Sequence, residues 1–235
     1  MMLKNSEQQD EMHAIQLRFT QSKALLSIML LIYVPVLMLF AILKLQTKIP
    51  ISILTRDPSS IAQVPSYWGA ISNIGILMWC GAVVIPWFSF KLLQQTKNNK
   101  EFSRFFLFSG CLTSILLLDD LFLLHEGVFP NRLKIPEKFV LVGYGIILSF
   151  YLIKFRKVIL KTNFILLVFA LSFFGLSAIF DSLPLRGWLE NEDQYLVEDG
   201  LKFLGIVSWL TYFAITCADQ LKRILRVETT KHNRF

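Results

Sequence analysis

The sequence predicts an all-α integral membrane protein, a bundle of six transmembrane helices with the N- and C-termini on the cytoplasmic side. Of the 235 residues, 54% are hydrophobic and the mean hydropathy is +0.53. Charged residues make up only 17%, below the value of about a quarter that is usual for soluble domains. The apolar residues are gathered into runs, several of which reach the roughly 20 residues that a helix needs to cross a bilayer.

The predicted spans form one transmembrane domain over residues 24–218. The first apolar run is too long for a signal peptide and no cleavage site follows it, so we expect it to remain as a span. The segment 1–23 before it and the basic tail 219–235 after the last span are polar, and we expect both to be cytoplasmic. The six predicted spans are residues 24–43, 67–90, 105–124, 139–153, 164–180 and 201–218.

The basic residues predict the orientation of these spans. With six spans, the N-terminal segment, the second and fourth connections and the C-terminal tail share one side, and most of the 24 lysines and arginines lie there. Lysine and arginine are enriched in cytoplasmic loops, so we expect this side to be cytoplasmic. The net charge of +7 is therefore mainly a topology signal. It predicts contact with anionic membrane lipids and argues against nucleic acid as a partner.

The third predicted span ends in a group of ionisable residues, although charges inside a membrane normally face a bundle interior or a wet cavity. At about 100° per residue, Asp119 and Glu126 share nearly one helix face, whereas His125 points roughly the other way. Gly127 and Pro130 predict that the helix ends just beyond Glu126. One helix cannot direct the whole group to one atom, so partners from other helices are needed. The group consists of Asp119, Asp120, His125 and Glu126.

The predicted topology brings other polar residues to the same, non-cytoplasmic end of the bundle. The fifth span ends there, and the second and sixth spans begin there. We therefore expect one polar site to collect residues from the second, third, fifth and sixth spans. The additional residues are Ser72, Asn73, Asp181, Glu198, Asp199 and Lys202.

Three interpretations of this site remain open. It can be a structural polar network that includes Ser72 and Asn73, in which Lys202 neutralises an aspartate and Asp199 caps the sixth helix. It can bind a divalent metal ion, because carboxylates with one imidazole suit a hard or borderline cation, which would then activate water for hydrolysis. It can be a proton or ion path in a transporter. The ammonium of Lys202 opposes cation binding nearby and favours the first or third interpretation. The candidate metal ligands are Asp119, Asp120, His125, Glu126, Asp181, Glu198 and Asp199.

Depth in the membrane predicts one specific contact within this site. Lys202 lies about one helical turn inside Glu198, at a level compatible with Asp119 and Asp120 on the third span. A lone charge at that depth would be costly, whereas Glu198 is near the interface and has water to satisfy it. We therefore predict that Lys202 pairs with Asp119 or Asp120.

The third to sixth spans resemble a group of uncharacterised bacterial polytopic membrane proteins. The resemblance rests on Asp119-Asp120 followed after four residues by His125-Glu126, and on a second acidic pair that opens the last span in Glu198-Asp199-Gly200-Leu201 with Gly205. It implies the same fold and a location in the bacterial plasma membrane, and it implies no known activity.

A looser resemblance is to the alkaline ceramidase superfamily of membrane hydrolases. Its second- and third-span motifs are similar to Ala70-Ile71-Ser72-Asn73-Ile74 and Leu117-Leu118-Asp119-Asp120. Phe108 stands near the position of that family's zinc-binding histidine, and the last span carries Lys202 in place of a histidine pair. The resemblance implies a metal-dependent hydrolase of a lipid amide bond, which we keep as an alternative function.

Overall fold

A computed structural model describes residues 26–27, 29–94, 100–182 and 191–232 of the chain. Within these ranges the ordered elements are helices and no strand occurs, which confirms the all-α prediction. The chain divides into two compact units, residues 1–68 and 69–235.

The first unit contains one long apolar helix and two short ones. Helix α1, Met29–Leu45, overlaps the first predicted span, 24–43, and ends two residues beyond it. Helices α2, Ile51–Thr55, and α3, Pro58–Ala62, lie in the connection that follows. The side chain of Asp57 caps α3 by accepting a hydrogen bond from the backbone N–H of Ser60 at 3.1 Å.

Among the described residues, the second unit contains five helices that are long and apolar enough to cross a membrane, which is compatible with an integral membrane protein. They correspond in order to the second to sixth predicted spans. Helix α1 is shorter than these five, so the count of six spans and the placement of the termini remain predictions. The elements are α4 Ala70–Gln94, α5 Lys100–Phe122, the π-helix π1 Leu124–Leu133, α6 Glu137–Ile159, α7 Phe164–Ser182 and α8 Asn191–His232.

Helices α6 and α8 extend furthest beyond the apolar runs that predicted them. Helix α6 continues past residue 153 through Lys154 and Arg156, because lysine and arginine are good helix formers whose aliphatic stems tolerate an apolar surrounding. Helix α8 has 42 residues and so is about 63 Å long, roughly twice the hydrocarbon thickness of a bilayer. It continues through residue 219, where the sequence predicted the start of a separate tail.

Helix α4 packs closely against α5 and α8, and α7 packs against α8. Glycines mark the tightest approaches: a Cβ atom at Gly205 would lie 2.7 Å from the Phe174 ring, and one at Gly110 would lie 3.0 Å from the Trp87 indole. Helices α5 and α8 instead meet through long side chains. The contacts of Phe105 with Phe213, and of Asp120 with Lys202, show that these two helices run antiparallel. The end of α5 and the beginning of α8 therefore lie at the same end of the bundle.

Candidate functional site

The candidate site is a charge cluster made of Asp119, Asp120, His125, Glu126 and Lys202. Its geometry depends on an abrupt end of α5. The helix stops at Phe122, and Leu123 adopts the left-handed conformation with φ 48° and ψ 49°, which is rare for a bulky residue. The predicted end of this helix just before Gly127, with Pro130 soon after it, is therefore wrong, because the α-helix ends at Phe122 and both residues lie inside π1.

The turn at Leu123 folds π1 back onto the end of α5. The backbone N–H of His125 donates to Oδ1 of Asp119 at 3.0 Å, and His125 Nδ1 lies 2.5 Å from Asp119 Oδ2. These bonds help to offset the roughly 1–2 kcal/mol that a left-handed residue costs. The expectation that His125 points away from Asp119 is wrong, because it assumed a continuous helix.

Asp119 is fully satisfied by its neighbours. Its residue surface is only 6% exposed, and both carboxylate oxygens accept hydrogen bonds. In addition to His125, the hydroxyl of Tyr144 on α6 donates to Oδ1 at 2.7 Å. The carboxylate thus connects α5, π1 and α6 at one point. Tyr144 was not predicted as a site residue, because a single tyrosine in an apolar span gives no signal of its partner.

His125 lies between two carboxylates. Its Nδ1 faces Asp119, and its Nε2 lies 3.3 Å from Oε1 of Glu126, whose side chain is half exposed. The hydrogen bond with Asp119, followed by the one with Glu126, raises the pKa of His125 to about 10. The hydrogen bond from His125 lowers the pKa of Glu126. The imidazole is therefore a cation at neutral pH.

The second ion pair joins α5 to α8. The ammonium of Lys202 contacts Oδ1 of Asp120, which confirms the predicted pairing of Lys202 with one of the two aspartates. The side chain of Asp120 is 9% exposed and that of Lys202 is 34% exposed, so water screens this pair only in part. Lys202 also lies within electrostatic reach of Glu126. The two ion pairs are thus adjacent in space, and their two aspartates are consecutive in the sequence.

The other predicted site residues surround the cluster more loosely. Asp181 and Glu198 lie within electrostatic reach of each other, and Asp199 is near Glu198 and Lys202. These three acids form no ion pair with a residue that the structure describes. The interpretation of Asp199 as the cap of the sixth span's helix is wrong, because α8 begins at Asn191 and Asp199 lies inside it. Ser72 and Asn73 are exposed on α4 and form no hydrogen bond to the cluster within the described ranges. Sequence reasoning missed Glu137 at the start of α6, which interacts electrostatically with Asp181, His125, Glu126 and Asp119.

The donor atoms of the charge cluster that could hold a divalent metal ion already have partners within the protein. Both ring nitrogens of His125 face carboxylates, and Asp120 is paired with Lys202. A metal ion could take these donors only by displacing their present partners. Among the described residues, no group of three or more His, Cys, Asp or Glu side chains is arranged to hold a metal ion. The metal site therefore stays a prediction.

Comparison with known proteins gives a family without an assigned activity. No curated protein and no solved structure matches the chain. A family described as a domain of unknown function, DUF8692, matches residues 26–216, which include helices α1 to α7 and most of α8. Because this match covers most of the chain, the charge cluster and the helices that build it lie inside the family domain, and the chain belongs to the DUF8692 family.

Proposed function

We propose that the chain is a polytopic membrane protein of six spans, with cytoplasmic termini, in the plasma membrane of a bacterial cell. Its charge cluster lies at the non-cytoplasmic end, and the function that best fits the cluster is that of a proton- or ion-coupled transporter. One observation carries this proposal. Two consecutive aspartates are neutralised by cations from two other elements, His125 of π1 and Lys202 of α8.

A site that already holds protein cations can accept an external one by exchange. Among the described residues, Lys202 is the one cation paired with Asp120, so a solute cation that takes this carboxylate would release the Lys202 ammonium. An unpaired ammonium within a membrane is costly unless it loses its proton. Binding of a monovalent cation at Asp120 would therefore be coupled to the release of one proton from Lys202, and the charge of the site would not change.

The surrounding acids support the same function. Glu126 is half exposed, Asp181 and Asp199 are exposed, and Glu198 is partly buried. A cluster of carboxylates beside low-dielectric helix walls raises the local concentration of cations and lowers that of anions. The chemistry of the site therefore favours a cationic solute over an anionic one.

The test uses the purified protein in liposomes that contain a pH-sensitive dye. Na⁺, K⁺, Li⁺, Ca²⁺ or methylammonium is added outside, and the internal pH is followed. We expect at least one of these cations to drive proton release from the lumen. Asp120→Asn should abolish the response, whereas Glu101→Gln, at the opposite end of α5, should retain it. If no cation moves protons faster than in protein-free liposomes, the transporter proposal fails.

The alternative of a metal-dependent lipid amide hydrolase has a separate readout. It requires a bound metal in the purified protein and loss of that metal on replacing His125. Elemental analysis of the wild type and of His125→Gln, prepared without chelators, tests this directly. A stoichiometric metal in the wild type that is lost in the variant would replace the transporter proposal by the hydrolase. A purely structural network predicts neither a metal nor a cation response.

A further inference from the structure

The interface of α5 and α8 has two chemically different parts along its length. Asp120 contacts Lys202, and seven residues further along each helix Trp209 Nε1 donates to Thr113 Oγ1 at 3.1 Å. This antiparallel register places Leu116 opposite Ile206, between the two polar contacts. Ile206 is 2% exposed and Leu116 packs against the buried core. An apolar layer therefore separates the charge cluster from the next polar group.

Beyond this layer, hydroxyl groups accumulate inside the bundle. Ser109 on α5 and Tyr151 on α6 share a hydrogen bond of 2.7 Å, and both residues are buried. The hydroxyl of Tyr212 on α8 lies 3.0 Å from Oγ1 of Thr162, which follows the end of α6. Together with the contact of Thr113 and Trp209, these groups extend from the apolar layer to the end of the bundle opposite the charge cluster.

Two buried polar atoms in this region lack a partner among the described residues. They are Oγ1 of Thr216, in a residue that is 1% exposed, and Nε1 of Trp79, in a residue that is 4% exposed. The hydroxyl of Tyr212, four residues earlier on α8, is a polar neighbour of Thr216. Leaving such an atom unsatisfied costs about 1–3 kcal/mol, and native proteins usually meet this need with internal water.

We propose that this half of the bundle is a hydrated proton path. Internal water bound at Thr216 and Trp79 joins the hydroxyls of Tyr212 and Thr162 and opens to the side opposite the charge cluster. The layer of Leu116 and Ile206 closes the path below Lys202. The inference rests on the proposed function, because it supplies the second access route that proton exchange at Lys202 requires. Water and hydronium are the only ligands that it needs.

The environment of Thr216 favours bound water over a direct hydrogen bond between helices. Serine and threonine often join membrane helices by direct bonds, and such bonds leave no atom unpaired. Thr211 satisfies its hydroxyl in another way, within one helix, because it donates to the carbonyl of Val207 at 2.7 Å. Thr216 lies on the same helix, is more deeply buried and has no such bond. The two threonines therefore form a matched pair for an experiment.

The experiment is hydroxyl-radical footprinting with millisecond X-ray pulses on the purified full-length protein in lipid nanodiscs without added cation. Radicals formed from bound water oxidise the side chains beside it. We expect oxidation of Trp79 and Tyr212 at rates roughly tenfold above that of the fully buried Phe106, after correction for intrinsic reactivity, because only the former adjoin water. Thr216→Val should reduce oxidation of Tyr212 several-fold, and Thr211→Val should leave it unchanged.

The wild-type footprint keeps the proposal falsifiable even if a variant does not fold. Wild-type protection of Trp79 and Tyr212 to the level of Phe106 would overturn the path. Equal effects of Thr216→Val and Thr211→Val would overturn the water site at Thr216. Because no cation is present, these outcomes are independent of the cation response in liposomes: a dry interior with a cation response would remove the path alone, and a wet interior without one would remove the transporter alone.

Discussion

Two of the ion pairs formed by α5, one near each end of the helix, differ in what surrounds them. Near its beginning, Glu101 faces Lys161 at 3.4 Å, and the side chains are 71% and 56% exposed. Near its end, Asp120 contacts Lys202, and the side chains are 9% and 34% exposed. Exposed pairs gain little because water and salt screen them, whereas a buried charge that loses its partner remains costly. An ion pair of the same type therefore contributes little to stability at the beginning of α5 and much more near its end.

The largest expected effect comes from removing the buried cation. Lys202→Met leaves Asp120 without a counter-charge, so the free energy of unfolding should fall by roughly 3 kcal/mol or more. Lys161→Met should change it by about 1 kcal/mol or less. Unfolding of both variants in mixed micelles by increasing SDS measures the difference. The double variant Lys202→Met with Asp120→Asn should recover much of the loss. Equal costs for Lys202→Met and Lys161→Met would show that the two pairs do not differ.

The next prediction distinguishes the ion pairs at the two ends of α5 by how their contributions to stability depend on pH. The folded-state pKa of His125, about 10, lies above its ordinary value of 6.5. The stability that protonated His125 contributes is therefore complete below pH 6.5, declines as the pH rises and is lost near pH 10. We expect the stability difference between the wild type and His125→Gln to shrink across this window. Glu101→Gln involves no histidine and should show a constant difference from pH 6.5 to about 9. A constant difference for His125→Gln would mean that the imidazole is not held as a cation.

The smallest expected effect comes from the hydroxyl of Tyr144, which donates a hydrogen bond to Asp119 in addition to those from His125. Tyr144→Phe removes one hydrogen bond to a carboxylate, which should cost about 1–2 kcal/mol because the site is partly buried. Tyr195→Phe, at an exposed position on α8, should have no measurable effect. SDS unfolding again provides the measurement. A loss for Tyr195→Phe as large as that for Tyr144→Phe would indicate a general effect of the substitution.

The sequence predicted the parts of the fold that depend on hydropathy and helical rise. The apolar runs located five helices in their correct order, and a depth argument identified the partner of Lys202 as one of two aspartates. Both properties follow from one-dimensional spacing. The overlong α8 was not predicted, because its polar ends have helix-forming residues but no apolar periodicity that would distinguish them from loops.

The detailed site could not be predicted because one residue violates its local preference. Leu123 is a poor candidate for a left-handed conformation, and Gly127 is a good one, yet the helix ends at Phe122. Hydrogen bonds between His125 and the carboxylate of Asp119 compensate for the strain at Leu123. A local sequence pattern does not predict such bonds. Tyr144 illustrates the same limit, since its role depends on a carboxylate 25 positions away.

Because α8 is long, a small tilt at one of its ends would displace the other end by several ångströms. Lys202 is near one end of this helix, and the far end at His232 is 30 residues, or about 45 Å, away along the axis. A tilt of about 5° pivoting at Lys202 would sweep that far end through ~4 Å, given the helical rise. Release of Lys202 from Asp120 at one face of the membrane would in this way become a displacement large enough for a partner to sense beyond the other face.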